Sequence, residues 1–331
     1  MTNGRAATRS VVAVDLGGTQ IRVAVIDPSG TLVYRQATST DAERGPEAVI
    51  ERIKEGIRGA LDAVGRNAVG AVGVAAPGPL DPWRGVVFNA PNLPGWVDVP
   101  LRDIVERAFN LPTHVGNDAN LAAVGEHRYG AGRGVDDLVY MTVSTGIGGG
   151  VILGGRLLLG AHGGAAEIGH MTVDLNGPHC NCGNVGCLEA LASGTAIARR
   201  AVALLAAGRP SSLQQLATAP SAADVTDAAR RGDALAREIL EEAGVVLGVG
   251  IVNLLHLFDP ALVIIGGGVM QAGDLIWEPM RRIVETRAMP VYRRTFRLAS
   301  PALDDNAGLF GAAALAFDLV SLTPSQRTSP S

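Results

Sequence analysis

Residues 11–26 read VVAVDLGGTQIRVAVI. The apolar run Val11–Val14 stops at Asp15-Leu16-Gly17-Gly18-Thr19, and a second run, Ile21–Ile26, begins almost at once. That pattern predicts two strands joined by a glycine turn, and Thr31–Arg35 follows as a third strand after the turn Pro28-Ser29-Gly30. Glycines in the first turn leave backbone N–H groups open to an anion. Thr19 adds a hydroxyl, and Asp15 adds a carboxylate suited to a magnesium ion or its waters. A plain hairpin turn would read the same way, so this stretch alone does not decide between structure and phosphate binding.

Further along, the pattern returns. Leu138–Val143 reads as a strand, Thr145-Gly146-Ile147-Gly148-Gly149-Gly150 as a glycine turn, Val151–Leu153 as a strand, Gly154-Gly155 as a hairpin turn and Arg156–Leu159 as a strand. Ala71–Ala75 ends in Pro77-Gly78-Pro79, and Ala261–Ile265 ends in Gly266-Gly267-Gly268. These echoes predict an internal duplication: two α/β halves of like topology around a cleft. Glycine hairpins at matching places, each with a threonine, suggest two clamps on a polyphosphate. Neither is a P-loop, because no Lys-Ser/Thr follows the glycines. A Rossmann site is disfavoured too, because its fingerprint opens a helix and here a strand follows.

Between these markers, helical spacing predicts helices at Glu47–Val64 (Val49, Ile50, Ile53, Ile57, Leu61), Leu101–Phe109, Ala119–Tyr129, about Ala234–Phe258 and Leu309–Phe317. Short strands are expected at Ala71–Ala75 and Thr113–Val115, and residues 195–243 read mostly as helix. The ends, 1–10 and about 321–331, read as disordered tails.

At 331 residues the chain is long for one compact domain and comfortable for two. The expected division is 1–118 plus 306–331 as a smaller α/β domain and 119–305 as a larger one. A hydrophobic fraction of 47% with 18% charged residues fits a globular protein with a large core. The net charge of −4 and the lack of a basic run argue against nucleic acid or an anionic membrane as partner. Arg5 and Arg9 precede only the short run Val11–Val14, which is too brief for a signal-peptide core. The uncharged stretch between Glu242 and Asp259 is shorter than the roughly 20 residues that span a bilayer, and it contains Asn253 and His256, so it reads as a buried helix. The expected location is the cytoplasm.

All three cysteines, Cys180, Cys182 and Cys187, crowd into one short segment, which points to a metal site rather than a disulfide. With one imidazole they make a tetrahedral Cys3His zinc site, closed to water and therefore structural. His170 in Glu167-Ile168-Gly169-His170 is favoured over His179, because His179 adjoins Cys180 and neighbouring residues rarely converge on one ion. Glu167 and Glu189 flank this loop, and carboxylates suit the hydroxyls of a sugar. Asn117-Asp118-Ala119-Asn120 stands where a strand ends and a helix starts. Asp118 reads either as a helix cap or as a carboxylate that takes a proton from a sugar hydroxyl during phosphoryl transfer.

Together the five motifs, at 15–19, 117–120, 145–150, 167–170 and 180–189, resemble the ROK family (repressors, open reading frames and sugar kinases), near its bacterial glucokinase-like members. The likeness runs from Asp15 to about Gly308. It implies an actin-like ATPase fold, ribonuclease H-like and duplicated, whose two domains close over sugar and nucleotide. It implies Asp118 as general base on the 6-hydroxyl of a hexose, most simply glucose. Asn92, Asn117, Glu167, His170 and Glu189 would bind the sugar, and Gly78 would line its site. His170 would hold zinc with one ring nitrogen and face the sugar with the other. Asp15, Gly17, Gly18 and Thr19, with Thr145, Gly146, Gly148 and Gly149, would hold the phosphates of ATP with Mg2+, and Gly266, Gly267 and Gly268 would lie near the adenosine. A homo-oligomer, dimer or tetramer, is the expected assembly.

The alternatives are an N-acetylmannosamine or other hexose kinase, and a sugar-responsive regulator. The mannosamine enzymes can carry arginine after the glycine matching Gly78, whereas Pro79 stands here. The regulators carry a helix-turn-helix ahead of the first strand, and only about ten residues precede Val11, so that role is not expected. A nucleotide-dependent chaperone or structural ATPase of the same fold has no use for the zinc motif or for the Asp118, Glu167 and Glu189 set.

Overall fold

A computed structural model describes residues 9–90 and 92–321; the expected tails lie almost wholly outside the described residues. The chain forms two compact units. One comprises Met1–Gly134, Leu157–Ala165 and Ala302–Ser331; the other comprises Val135–Arg156 and Ala166–Pro301.

In the first unit, β1 (Ser10–Leu16), β2 (Gln20–Ile26) and β3 (Leu32–Ser39) form an antiparallel meander. The chain then runs through α1 (Pro46–Val64) into β4 (Val69–Ala76), which lies parallel to β1. A small sheet follows, built from β5 (Leu80–Asp81), β6 (Val86–Asn89) and β7 (Val97–Val99). Next come α2 (Leu101–Phe109), β8 (Thr113–Asn117) parallel to β4, and α3 (Asp118–Tyr129). The main sheet has the order β3-β2-β1-β4-β8.

Both faces of this sheet are covered, and the period-two pattern of β1 shows how. Val12, Val14 and Leu16 join the core formed with Val49, Ile53 and Ile57 of α1. Val11 and Ala13 point the other way, into a cluster with Leu309, Ala312 and Ala316 of the C-terminal helix, Ala307–Ser321. α1 opens with Pro46 at its first position, where a missing N–H costs nothing, and buries the stripe Val49, Ile53, Ile57, Ala60 and Leu61. Each fully buried Val, Leu or Ile side chain contributes about 1.5–3 kcal/mol over its exposed state.

Contacts carry the first unit beyond the expected boundary at residue 118, through α3. The reason is backbone-level packing between α3 and the C-terminal helix. A Cβ at Gly125 would fall on the Ala307 carbonyl oxygen, and one at Gly311 on that of Leu121. Only glycine lets two helices approach so closely.

The second unit repeats the topology. β9 (Leu138–Val143) pairs antiparallel with β10 (Ile147–Leu153), which is followed by the short edge strand β11 (Arg156–Leu157). The helices α4 (Leu188–Ala192), α5 (Gly194–Ala206), α6 (Ala222–Arg230) and α7 (Ala234–Phe258) intervene before β12 (Leu262–Gly266), which runs parallel to β9. α8 (Asp274–Arg287) leads to β13 (Leu298–Ala299), parallel to β12. The order β11-β10-β9-β12-β13 matches the first sheet strand for strand, so the duplication seen in the glycine turns is a duplication of sheets.

One expectation needs correcting. Thr145–Gly150 reads as a turn from composition, but Gly148, Gly149 and Gly150 lie inside β10 and the turn shrinks to Ser144–Gly146. Gly149 is needed for proximity rather than for turning: a Cβ there would fall on the Ile168 side chain and close to the Tyr140 carbonyl. α7 is the one helix among the described residues that is long and apolar enough to cross a membrane. Leu240, Leu247, Ile251 and Leu255 are fully buried within the unit, and the helix packs on α8, as a core helix does.

Candidate active site

In the first unit the β1–β2 turn is held from two sides. The Gly17 N–H donates to the Gln20 carbonyl at 3.0 Å, and the Thr40 hydroxyl donates to the Gly17 carbonyl at 2.7 Å. Asp15 pairs across the hairpin with Arg22 in register, and the guanidinium reaches its carboxylate at 3.3 Å. The same guanidinium donates to the Asp305 carbonyl at 3.0 Å. Burial raises the Asp15 carboxyl above its ordinary range; the charge and hydrogen bond of Arg22 oppose that rise, and Asp305 adds to it. Gly308 lies beside the Asp15 carboxylate, where a Cβ would stand 3.3 Å from its atoms. A half-buried carboxylate with a cationic neighbour is a fitting ligand for a magnesium ion.

Two expected sugar residues pack close to expected neighbours in this unit. A Cβ on Gly18 would come within 2.8 Å of the Asn92 Cβ, so the turn and Asn92 are in direct contact. A Cβ on Gly78 would come within 2.9 Å of the Asn117 Nδ2. Asn117 ends β8 and caps α3, its side-chain oxygen accepting the Asn120 N–H at 3.1 Å. The capping role in this segment falls to Asn117 instead of Asp118. Asp118 is the first helical residue, and its carboxylate accepts the Ala119 N–H at 2.7 Å.

In the second unit the equivalent turn is tied to α5. The Gly194 N–H donates to the Ser144 carbonyl at 2.7 Å, and the Thr195 hydroxyl donates to the Thr145 carbonyl at 2.8 Å. From the other side the Gly268 N–H donates to the Ser144 hydroxyl at 3.2 Å. The turn and Gly268 thus border one cavity of about 770 Å3, walled by Thr195, Ala222, Thr226 and Val269; Gly266 and Gly267, expected beside them, pack instead against Pro301 and Val143. Its size suits a nucleoside.

Glu189, on α4, reaches the same turn. Its Oε2 accepts the Ile147 N–H at 2.9 Å, and a Cβ on Gly146 would fall on that oxygen. Glu167 precedes the single turn Ile168–His170, and its carbonyl accepts the His170 N–H at 3.0 Å. His170 Nδ1 and the sulfurs of Cys180, Cys182 and Cys187 all lie within 4.8 Å of one another. The pairs His170–Cys180 and Cys182–Cys187 are each 3.6 Å apart. Ligands on a tetrahedral zinc with bonds of about 2.3 Å stand roughly 3.7 Å apart, so the spacing fits. Burial and the neighbouring thiols push the Cys187 thiol up to about 12, while a backbone hydrogen bond at Asn184 lowers that of Cys182. A dication among these sulfurs would favour the thiolate form that ligation requires. His179 instead bridges to Val185 and lies outside the cluster, whose imidazole is that of His170.

Asn92, Gly78, Asn117 and Asp118 thus belong to the first unit, and Glu167, His170 and Glu189 to the second. Sequence reasoning missed Arg22, Thr40, Ser144, Thr195 and Gly308. Only Arg22 left a signal, because a two-strand register through Gly17-Gly18 places it opposite Asp15. The others depend on contacts between distant segments.

Comparison with known proteins adds the following. The family model described as the ROK family matches residues 11–318. A glucokinase of Thermotoga maritima is 39% identical over 92% of this chain and 96% of its own length. The crystal structure of a ROK family glucokinase from Streptomyces griseus in complex with glucose and AMPPNP superposes with a TM-score of 0.79 at 36% identity, covering 93% of this chain and 99% of that one. A xylose repressor of Caldicellulosiruptor bescii is 31% identical over 92% of this chain but only 77% of its own length.

Proposed function

This chain belongs to the ROK family, and we propose that it is a glucokinase, an enzyme that transfers the γ-phosphoryl group of ATP to the 6-hydroxyl of glucose. The observation that carries this reading is the bond from Ile147 to Glu189. One short stretch, Cys187-Leu188-Glu189, supplies a ligand to the metal cluster, a carboxylate for sugar hydroxyls and a brace for the turn that borders the nucleoside-sized cavity. A chaperone ATPase has no need to couple these three.

In the mechanism, Asp118 accepts the proton of the 6-hydroxyl as that oxygen attacks the γ-phosphorus, and ADP leaves. Asn92, Asn117, Glu167, His170 and Glu189 orient the hexose, and Gly78 leaves room for it against Asn117. Backbone N–H groups of the turns at Asp15–Thr19 and Thr145–Gly146 stabilise the charge that spreads over the phosphate oxygens. Asp15 would hold Mg2+, which supplies charge neutralisation between the phosphates when bound. His170, Cys180, Cys182 and Cys187 would hold Zn2+, which supplies a rigid closed cross-link and no open coordination position. His170 is then fixed from behind, with its other ring nitrogen left for the sugar. The protein works in the cytoplasm as a homo-oligomer, dimer or tetramer, without nucleic acid or membrane partners.

The test is a coupled phosphorylation assay with Mg2+, comparing glucose, mannose, fructose, N-acetylglucosamine and N-acetylmannosamine, with ATP, ADP and polyphosphate as donors. Glucose with ATP should have the highest kcat/KM. A higher value for N-acetylmannosamine would replace the substrate, and no turnover with any hexose would reject the kinase.

A further inference from the structure

Glu126 is fully buried, two turns along α3 from Asp118, and the mechanism above does not use it. Its carboxylate is occupied by backbone donors from two separate segments. Oε2 accepts the Ala131 N–H at 2.8 Å. Oε1 accepts the Leu303 N–H at 2.8 Å, and the Ala302 N–H is shared between the two oxygens at 3.0 and 3.1 Å. The backbone carbonyl of Glu126 takes two more, from Gly130 at 3.0 Å and Gly132 at 2.9 Å.

These two segments are where the chain leaves and finally rejoins the first unit, after Gly134 and at Ala302. Neither Ala131 nor Ala302 lies in a helix or strand, so no sheet ladder or helix holds them in place. α3 itself is rigidly seated through the glycine contacts of Gly125 and Gly311 with the C-terminal helix. One carboxylate therefore fastens both crossings to the helix that begins with Asp118.

We propose that Glu126 is a positioning residue for phosphoryl transfer: it fixes the exit and return of the chain on the helix of the catalytic base, so that substrate-driven closure pivots about anchored segments. The inference rests on the kinase reading and on Asp118 as base. Only a carboxylate serves, because it offers acceptors on both oxygens. A carboxamide would turn an N–H group toward either Ala131 or the Ala302–Leu303 pair. Residues that absorb hinge motion alter kcat and KM together when changed.

The experiment uses the full-length wild type, Glu126→Gln and Ala131→Pro. The proline removes the exit-segment donor and leaves the bonds to Ala302 and Leu303 intact. For each protein one measures kcat, the KM for glucose, Tm, and the radius of gyration by small-angle scattering with and without glucose. Glu126→Gln should lower kcat about tenfold, shift the glucose KM with it and reduce the glucose-induced compaction. Ala131→Pro should move the same quantities in the same direction by less, and it decides the question by the same criteria should Glu126→Gln not fold. A folded variant with a lower Tm but wild-type kcat, KM and compaction would overturn the inference and leave the kinase standing. A wild-type protein without hexose kinase activity would remove the functional reading, and this inference with it.

Discussion

Replacing Gly146 with alanine isolates the link between the Glu189 carboxylate and the Thr145 turn. Gly146 is not in the left-handed region, so alanine suits its backbone. The new Cβ would fall on the Glu189 Oε2, the far end of a flexible side chain that can swing away. The swing breaks the 2.9 Å bond from the Ile147 N–H, a hydrogen bond to a charged acceptor worth about 1.5–3 kcal/mol. Where that loss falls on substrate positioning, kcat/KM for glucose drops by roughly 10- to 150-fold. Because the clash is relieved at a side-chain tip and not in the backbone, Tm should fall by no more than a few degrees, equivalent to about 1 kcal/mol or less. The assay is a double-mutant cycle of Gly146→Ala and Glu189→Ala on kcat/KM, with thermal melts alongside. If the glycine acts through Glu189, its replacement costs little more once Glu189 is alanine. An equal loss in both backgrounds would refute the reasoning, and so would a Gly146→Ala protein that binds and turns over glucose normally.

Three further outcomes are expected. Asp118→Asn should bind glucose much as wild type does and lose about 10²–10⁴-fold in kcat; near-normal turnover in a steady-state assay would remove Asp118 as the base. Elemental analysis should find one zinc per chain, and Cys182→Ser should lower both zinc content and Tm; a zinc-free protein of wild-type stability and activity would reject the structural metal. His114, on β8, is depressed to about 4 by burial, with Arg102 adding to the shift and Asp318 opposing it. A histidine depressed in the folded state contributes stability that is whole above its unfolded value of 6.5 and is lost as pH falls through about 4. That loss is on the order of 2–3 kcal/mol. Between pH 7 and pH 4 the wild type should therefore lose more stability than His114→Leu, and parallel melting curves would show that His114 is not responsible.

Residues 11–26 and their echo at 138–159 carried the topology because strands and glycine turns are written locally, in period-two patterns and in residues that few other conformations favour. The matching sheet orders confirm what those echoes implied. The same local logic failed at Gly148–Gly150, where glycines that look like a turn serve close packing against Ile168 inside a strand, a distinction that depends on a segment about twenty residues away. The cysteine–histidine cluster was legible because its cysteines fall in one short segment, and His170 was preferred to His179 because adjacent residues rarely converge on one ion.

What the sequence determined by itself was the inventory: which carboxylates, glycines and thiols are present, and which sit at the ends of strands. The tertiary structure alone decided how they are joined. The Arg22 bridge from Asp15 to Asp305, the bracing of the Thr145 turn by Glu189 and the fastening of Ala131 and Ala302 by Glu126 link residues from 5 to 283 positions apart. Hydrogen bonds of that kind depend on where folding places a backbone N–H, and no side-chain pattern along the chain encodes that position.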